Sequence, residues 1–163
     1  MHRIAITTIV IAGFAAPLLA ADMAKVGDIM IHEPWVRASL GAAPNSAAYM
    51  TLETVGSEPD RLIRGSSPAA TKVEPHAHIM EGGVAKMRPV EAIEVAPGAP
   101  TVLEPGGLHL MLVGLTEKLE DGGTIPLTLV FETAGEITLE VPIKGMAATT
   151  GHGAMQHDAP KTN

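Results

Sequence analysis

Imidazole and thioether side chains occur together at two places in this sequence, and both are groups that bind soft metal ions. His109 and Met111 lie two residues apart in the apolar run GGLHLMLVGL, residues 106–115. In a β-strand, side chains two residues apart point to the same face, about 7 Å apart along the strand axis. Both side chains are long enough to converge on one metal ion, so the pair is a candidate metal site.

The second group lies in VEPHAHIMEGGVAKM, residues 73–87, where the triplet Glu81-Gly82-Gly83 is typical of a hairpin turn. A turn at Glu81-Gly82 places His76 opposite Met87, whereas a turn at Gly82-Gly83 places His78 opposite Met87. Cross-strand partners have Cβ atoms about 5 Å apart, within reach of a shared ion. Because His76 and His78 share a face, alternation does not choose between them.

Thioether and imidazole without thiolate form a soft ligand set that suits Cu(I). Zinc prefers cysteine, histidine or carboxylate and calcium prefers oxygen, so methionine counts against both. The chain contains no cysteine, which excludes a disulfide framework, a thiolate zinc site, an iron–sulfur cluster and a cysteine nucleophile. It also argues against a lipid-anchored N-terminus, because that anchor needs a cysteine. No Ser–His–Asp order stands out, and we expect a metal-binding protein that is not an enzyme.

Each of these residues also has an ordinary structural interpretation. Met111 alone fits a core position, His109 alone fits a histidine with satisfied hydrogen bonds, and His76 with His78 fits a solvated strand face. The metal hypothesis therefore depends on their joint occurrence. His32 lies on a predicted strand with no partner nearby in sequence, and we predict a structural role for it.

Composition restricts the class of protein further. The chain has 163 residues, 46% hydrophobic but only 2% aromatic, with a formal net charge of −7. This length allows one domain with an aliphatic core. The acidic balance argues against nucleic acid and against anionic lipid surfaces.

Three segments follow from the sequence pattern. Residues 1–21 combine a short basic start, an apolar run and small residues at Ala20 and Ala21, as expected for a secretory signal peptide. Residues 22–143 form the predicted domain. Residues 144–163 lack a strand pattern and are predicted to be a flexible tail containing methionine and histidine. We therefore expect a periplasmic protein with no stable membrane insertion after cleavage.

The domain is predicted to be all-β, because turn signals recur about every ten residues and helical periodicity is absent. This pattern favours a Greek-key β-sandwich or barrel. In the first long strand, simple alternation groups His32 with Val36 on one face. Residues 114–123 are the one segment compatible with a helical turn.

The histidines and methionines also form a pattern with fixed gaps. The chain matches H-x(10)-M-x(21)-H-x-M at His76, Met87, His109 and Met111, within VEPHAHIMEGGVAKMRPVE and LEPGGLHLMLVGL. This resembles the periplasmic copper chaperones of the PCu(A)C family, over roughly residues 29–143. The resemblance implies a cupredoxin-like barrel that binds one Cu(I) through those four side chains. It favours His76 over His78, hence the Glu81-Gly82 turn, and leaves His78 as an auxiliary ligand.

The same resemblance suggests partners for the chain. Family members are thought to supply copper to the binuclear copper site of cytochrome c oxidase, so subunit II of the oxidase or a Sco-type copper protein is the expected partner. We expect a monomer. The alternative is a protein that sequesters copper for resistance and has no dedicated acceptor. The tail resembles extensions of some members, and we expect it to bind Cu(II) through His152 and His157, with Met146 and Met155 assisting.

Overall fold

The computed structural model describes residues 23–145, which form eleven β-strands. The strands are β1 (Met23–Val26), β2 (Ile29–Arg37), β3 (Asn45–Thr54), β4 (Asp60–Ser66), β5 (Ala70–Glu81), β6 (Val84–Pro89), β7 (Ile93–Val95), β8 (Thr101–Leu103), β9 (His109–Leu115), β10 (Thr124–Phe131) and β11 (Gly135–Lys144). The predicted signal peptide and the tail positions Met146, His152, Met155 and His157 lie outside the described residues. Between residues 23 and 145, no helix has the length and apolar character needed to cross a bilayer.

Seven strands close into a barrel in the order β2-β11-β10-β4-β5-β9-β3, because β3 pairs back onto β2. Neighbouring strands are antiparallel except β11 and β2, which are parallel. The connections from β3 to β4 and from β9 to β10 pass to non-neighbouring strands, as in Greek-key folds. Strands β1, β6, β7 and β8 add to the edges of β2, β5, β4 and β3. The prediction of an all-β barrel is confirmed.

The barrel interior is filled by every second residue of its strands. Strand β10 shows the pattern most clearly, since its alternate residues Ile125, Leu127, Leu129 and Phe131 are buried. Full burial of such a side chain is worth about 1.5–3 kcal/mol relative to exposure. Val73 on β5 and Leu110 and Leu112 on β9 belong to this interior. Their strand neighbours of opposite parity, His76, His109 and Met111, therefore lie on the outer face of the sheet.

A bulge in β2 changes which residues face the core. Glu33 has a φ of 47°, and the pairing of β2 with β3 shifts between His32 and Trp35. The extra residue reverses the alternation, as bulges do. The expectation that His32 and Val36 share a face is therefore wrong: Val36 is buried, whereas Trp35 and Arg37 lie on the outer face with His32.

The segment for which a helical turn was considered is instead the end of β9 followed by an irregular loop, residues 116–123. The main chain of Leu119 bonds to a distant residue rather than to its own neighbours. Its N–H donates to the Ser39 hydroxyl at 3.0 Å, and its carbonyl accepts from the Ser39 N–H at 2.9 Å. These tertiary bonds replace the local bonds that a helical turn would have made.

Candidate metal centre

Two neighbouring barrel strands place two of the histidines side by side. Strands β5 and β9 are antiparallel, and their register pairs His76 directly with His109. Directly paired residues project from the same face of a sheet. The ring centroids of the two imidazoles are 5.8 Å apart. Residues 33 positions apart in the chain are thus neighbours, as the metal hypothesis requires.

The β5–β6 hairpin pairs His78, not His76, with Met87. Its turn is Gly82-Gly83, with φ values of 60° and 81°. The Glu81-Gly82 turn favoured by the family resemblance is therefore wrong. The physical reason is that a two-residue hairpin turn of this kind needs positive φ at both central positions, which glycine adopts freely and glutamate does not.

Strand β9 adds the second thioether to the same face. Met111 follows His109 by two residues and pairs with Ala47 on β3 and Glu74 on β5. A cavity of about 310 Å³ opens beside these strands, and its lining includes four of the predicted ligands or auxiliaries: His78, Met87, His109 and Met111. His76 pairs with His109 but does not line this cavity. The structure thus brings all five side chains to one region and gives His78 a more central place than the sequence did.

His109 is held in one orientation by a main-chain carbonyl. Its ring is 2% exposed, and Nδ1 donates to the Gly107 carbonyl at 3.0 Å. Burial lowers the pKa of His109, and the neighbouring His76 and His78 lower it further, against the opposite effect of the Gly107 carbonyl. The ring is therefore neutral near pH 7, with Nε2 as the lone pair available to a metal.

The nitrogens of the paired histidines lack the hydrogen bonds that buried polar atoms normally make. Nε2 of His109 and both ring nitrogens of His76 are buried with no hydrogen-bond partner among the described residues. The nearest charged atom to His76 is Oε2 of Glu74, 3.9 Å from Nε2. Burying a polar atom without a hydrogen bond costs about 1–3 kcal/mol of stability, so these nitrogens are suited to binding a metal ion.

The oxygen and nitrogen ligands of the fold do not suffice for a metal site by themselves. Within residues 23–145, no three histidine, aspartate, glutamate or cysteine side chains are arranged to hold a metal ion. A metal site at this position would need further ligands, and the thioethers of Met87 and Met111 line the same cavity. Met87 is 44% exposed, so a partner molecule can reach this side chain.

Sequence reasoning missed two side chains beside the site, Arg37 and Tyr49. Both line the cavity, and the Arg37 guanidinium lies 5.5 Å from the centroid of the Tyr49 ring. The Tyr49 ring in turn lies 6.4 Å from that of His109. Burial raises the pKa of Tyr49, against the opposing effect of the Arg37 charge. The bulge in β2 and the cross-strand register bring these two side chains to the cavity, and neither is visible in the sequence pattern. The one available indication was that Tyr49 is the single tyrosine of the chain.

Comparisons with known proteins agree with this architecture. The sequence model of the family described as "Putative lipoprotein LpqE-like" matches residues 29–143. A relative from Leifsonia xyli subsp. xyli, named "Putative lipoprotein Lxx21020", is 28% identical over 130 residues, covering 78% of this chain and 77% of the relative.

Solved structures of copper-binding domains are similar to the barrel. The copper-bound PCuAC domain from PmoF2 is 31% identical, with a TM-score of 0.66 over 76% of this chain and 97% of that domain. The Cu(I)-bound protein DR1885 from Deinococcus radiodurans is 27% identical, with a TM-score of 0.60 over 80% of this chain and 85% of that protein. The likeness confirms the cupredoxin-like fold class and the family that the resemblance indicated. The chain therefore belongs to the LpqE-like family, and its barrel is a member of the PCuAC domain family.

Proposed function

We propose that this chain is a periplasmic metallochaperone that carries one Cu(I) ion as its cargo. The ligands are His76, Met87, His109 and Met111, with His78 as an auxiliary. The observation that carries the proposal is the set of buried, unpaired imidazole nitrogens on His76 and His109, beside a cavity lined by both thioethers. Copper-bound structures of two similar domains support the choice of metal.

The ligand chemistry suits transfer rather than catalysis. Imidazole and thioether are neutral, so the positive charge of Cu(I) is not compensated within the site. A thiolate-bearing acceptor binds the same ion more strongly because it supplies soft, charged sulfur. The half-exposed Met87 on the edge hairpin is the ligand that an incoming thiolate can displace first. Copper then passes ligand by ligand without being released to water.

The acceptor that we propose is the binuclear copper site of cytochrome c oxidase, reached directly at subunit II or through a Sco-type protein. The family resemblance supports this assignment. The competing function is copper sequestration without an acceptor. A transfer assay distinguishes the two functions. A chaperone loads the apo copper domain of subunit II, or a reduced Sco-type protein, faster than Cu(I) bound to a small chelator does. A sequestering protein keeps its ion.

The site is tested by anaerobic Cu(I) titration of the full chain against a competing chromophoric chelator. We expect Met87→Leu and Met111→Leu each to lower the affinity for the first equivalent of Cu(I). Met80→Leu is the matched control, because Met80 lies on the same hairpin, is 70% exposed and pairs with Ala85 rather than with a histidine. Equal affinity in all three variants would show that the motif is not the site.

The tail is proposed as a separate site for Cu(II), through His152 and His157 with Met146 and Met155 assisting. Imidazole nitrogen is the ligand type that Cu(II) prefers, which supports the assignment. A chain ending at Lys144 is expected to keep the Cu(I) equivalent and to lose a Cu(II) equivalent. Loss of the Cu(I) equivalent in the shortened chain would contradict this division of roles.

A further inference from the structure

A second group of thioether and imidazole side chains lies on the outer face of β1, β2 and β3, away from the cavity. The register of β1 with β2 places Met23 directly opposite His32. Met30 precedes His32 by two residues on the same strand and pairs with Glu53 on β3. Paired residues and residues two apart share one face of a sheet. We call Met23, Met30, His32 and Glu53 the β1–β3 cluster.

His32 is the centre of this cluster; its side chain is 28% exposed, and its Nε2 atom makes no hydrogen bond among the described residues. The Nε2 atom itself is buried. The nearest charged atom, Oε2 of Glu53, is 3.6 Å away, too far for a good hydrogen bond. The same feature marks His76 and His109 at the candidate copper site. A buried nitrogen without a partner is unfavourable unless a ligand satisfies it.

The two thioethers are placed to complete a site around that nitrogen. Cross-strand Cβ atoms are about 5 Å apart, and side chains two apart on a strand are about 7 Å apart, both within reach of flexible methionine side chains. Met23 is 58% exposed, so an ion can reach its side chain from solvent. Lys25 pairs with Met30 but is exposed, so its ammonium group can remain in water.

The cluster is separate from the cavity in space. Arg37, which lines the cavity, follows His32 by five positions on β2, and because the bulge takes up one of them the distance along the strand is about 13 Å. Trp35, whose ring centroid is 4.5 Å from that of the cavity residue Tyr49, lies on the same outer face between the two groups. One ion therefore cannot be shared by both groups.

We propose that the β1–β3 cluster is a second binding site for Cu(I). Two thioether sulfurs and one imidazole nitrogen form a soft, low-coordinate ligand set, and the Glu53 carboxylate offsets the charge of the ion. Hard cations are disfavoured because a single carboxylate supplies too few oxygens. This proposal gives His32 a ligand role, whereas the sequence pattern predicts a structural one. This site does not depend on the function proposed for the cavity.

The experiment is an anaerobic Cu(I) titration of the full chain with ¹³C-methyl-labelled methionine, followed by NMR to four equivalents. We expect the Met87 and Met111 methyl signals to shift first and those of Met23 and Met30 to shift with a later equivalent, together with the ring signals of His32. The double variant Met23→Leu/Met30→Leu is expected to lose that later equivalent, while the control Met80→Leu retains it.

Three results would overturn the proposal. The Met23 and Met30 signals could stay unmoved to four equivalents, the later copper could shift only the tail methionines, or the double variant could bind as much copper as the unmodified chain. If the double variant fails to fold, the spectra of the unmodified chain decide alone. Failure of the cavity site is seen separately, as unmoved Met87 and Met111 signals.

Discussion

The buried ring nitrogens of His76, which make no hydrogen bond among the described residues, are expected to lower the stability of the copper-free protein. His76→Leu replaces the imidazole by an apolar side chain of similar volume. The side chain is 13% exposed, and both ring nitrogens are buried without partners among the described groups. Removing buried polar atoms that make no hydrogen bond is expected to raise the free energy of unfolding of the copper-free protein by about 1–2 kcal/mol.

Copper should reverse this order. A ligand present at a hundred times its Kd adds about 2.7 kcal/mol to the stability of the folded state. If loss of one ligand weakens binding about a hundredfold, the same copper concentration adds only about 0.4 kcal/mol to the variant. His76→Leu is then the more stable protein without copper and the less stable protein with it.

The measurement is urea unfolding of both proteins, under anaerobic conditions, with and without Cu(I). With an m-value of about 2 kcal/mol/M, a gain of 1–2 kcal/mol raises the urea midpoint by about 0.5–1 M. His78→Leu is the matched control: the Nδ1 atom of His78 already lies 3.4 Å from the Gly107 carbonyl, so its removal is expected to leave the copper-free stability nearly unchanged.

Two outcomes would refute the reasoning. If His76→Leu is less stable than the unmodified protein without copper by more than about 1 kcal/mol, the imidazole makes favourable interactions in the empty fold. If the stability order does not change on adding copper while His78→Leu loses its copper-dependent stabilisation, His78 and not His76 is the ligand. The second outcome would follow the hairpin register and the cavity lining rather than the sequence motif.

Three further predictions concern the scaffold. Gly83→Ala is expected to weaken Cu(I) binding, because its φ of 81° costs a non-glycine residue about 1–2 kcal/mol. The control Gly98→Ala, with a φ of 85° and similarly open surroundings, should lower the stability in urea by a similar amount without changing the Cu(I) affinity. Equal Cu(I) affinities in the two variants would contradict this prediction. Leu112→Ala should lower the free energy of unfolding by about 2–5 kcal/mol, since Leu112 is fully buried; a loss below about 1 kcal/mol would disprove its core role. Arg88 holds the pKa of Glu81 below its ordinary value of 4.5, so this ion pair stabilises the hairpin above that value, and the stabilisation is lost as the pH falls through the lower folded-state pKa. Hydrogen exchange in β6 should rise in that pH range in the unmodified chain but not in Glu81→Gln. Parallel pH profiles in the two proteins would exclude the ion pair as the cause.

The sequence alone determined the fold class and pointed to most members of the candidate site. Alternating apolar residues and frequent turn signals are local properties, so they predict an all-β domain without knowledge of tertiary contacts. The same holds for His109 and Met111, because residues two apart on a strand always share a face. The register of the β5–β6 hairpin was also predictable from its turn residues. Of the two candidate turns, Gly82-Gly83 is the one in which both residues adopt positive φ without steric cost.

Only the tertiary structure decided which distant residues meet. The pairing of His76 with His109 depends on the register between β5 and β9, which no local pattern fixes. The bulge at Glu33 reverses the alternation of β2 and so brings Arg37 to the outer face beside the cavity. His32 gained its neighbours in the same way, because Met23 lies opposite it only through the β1–β2 register. Cross-strand register is set by the packing of the whole barrel, and the chemistry of this face follows from it.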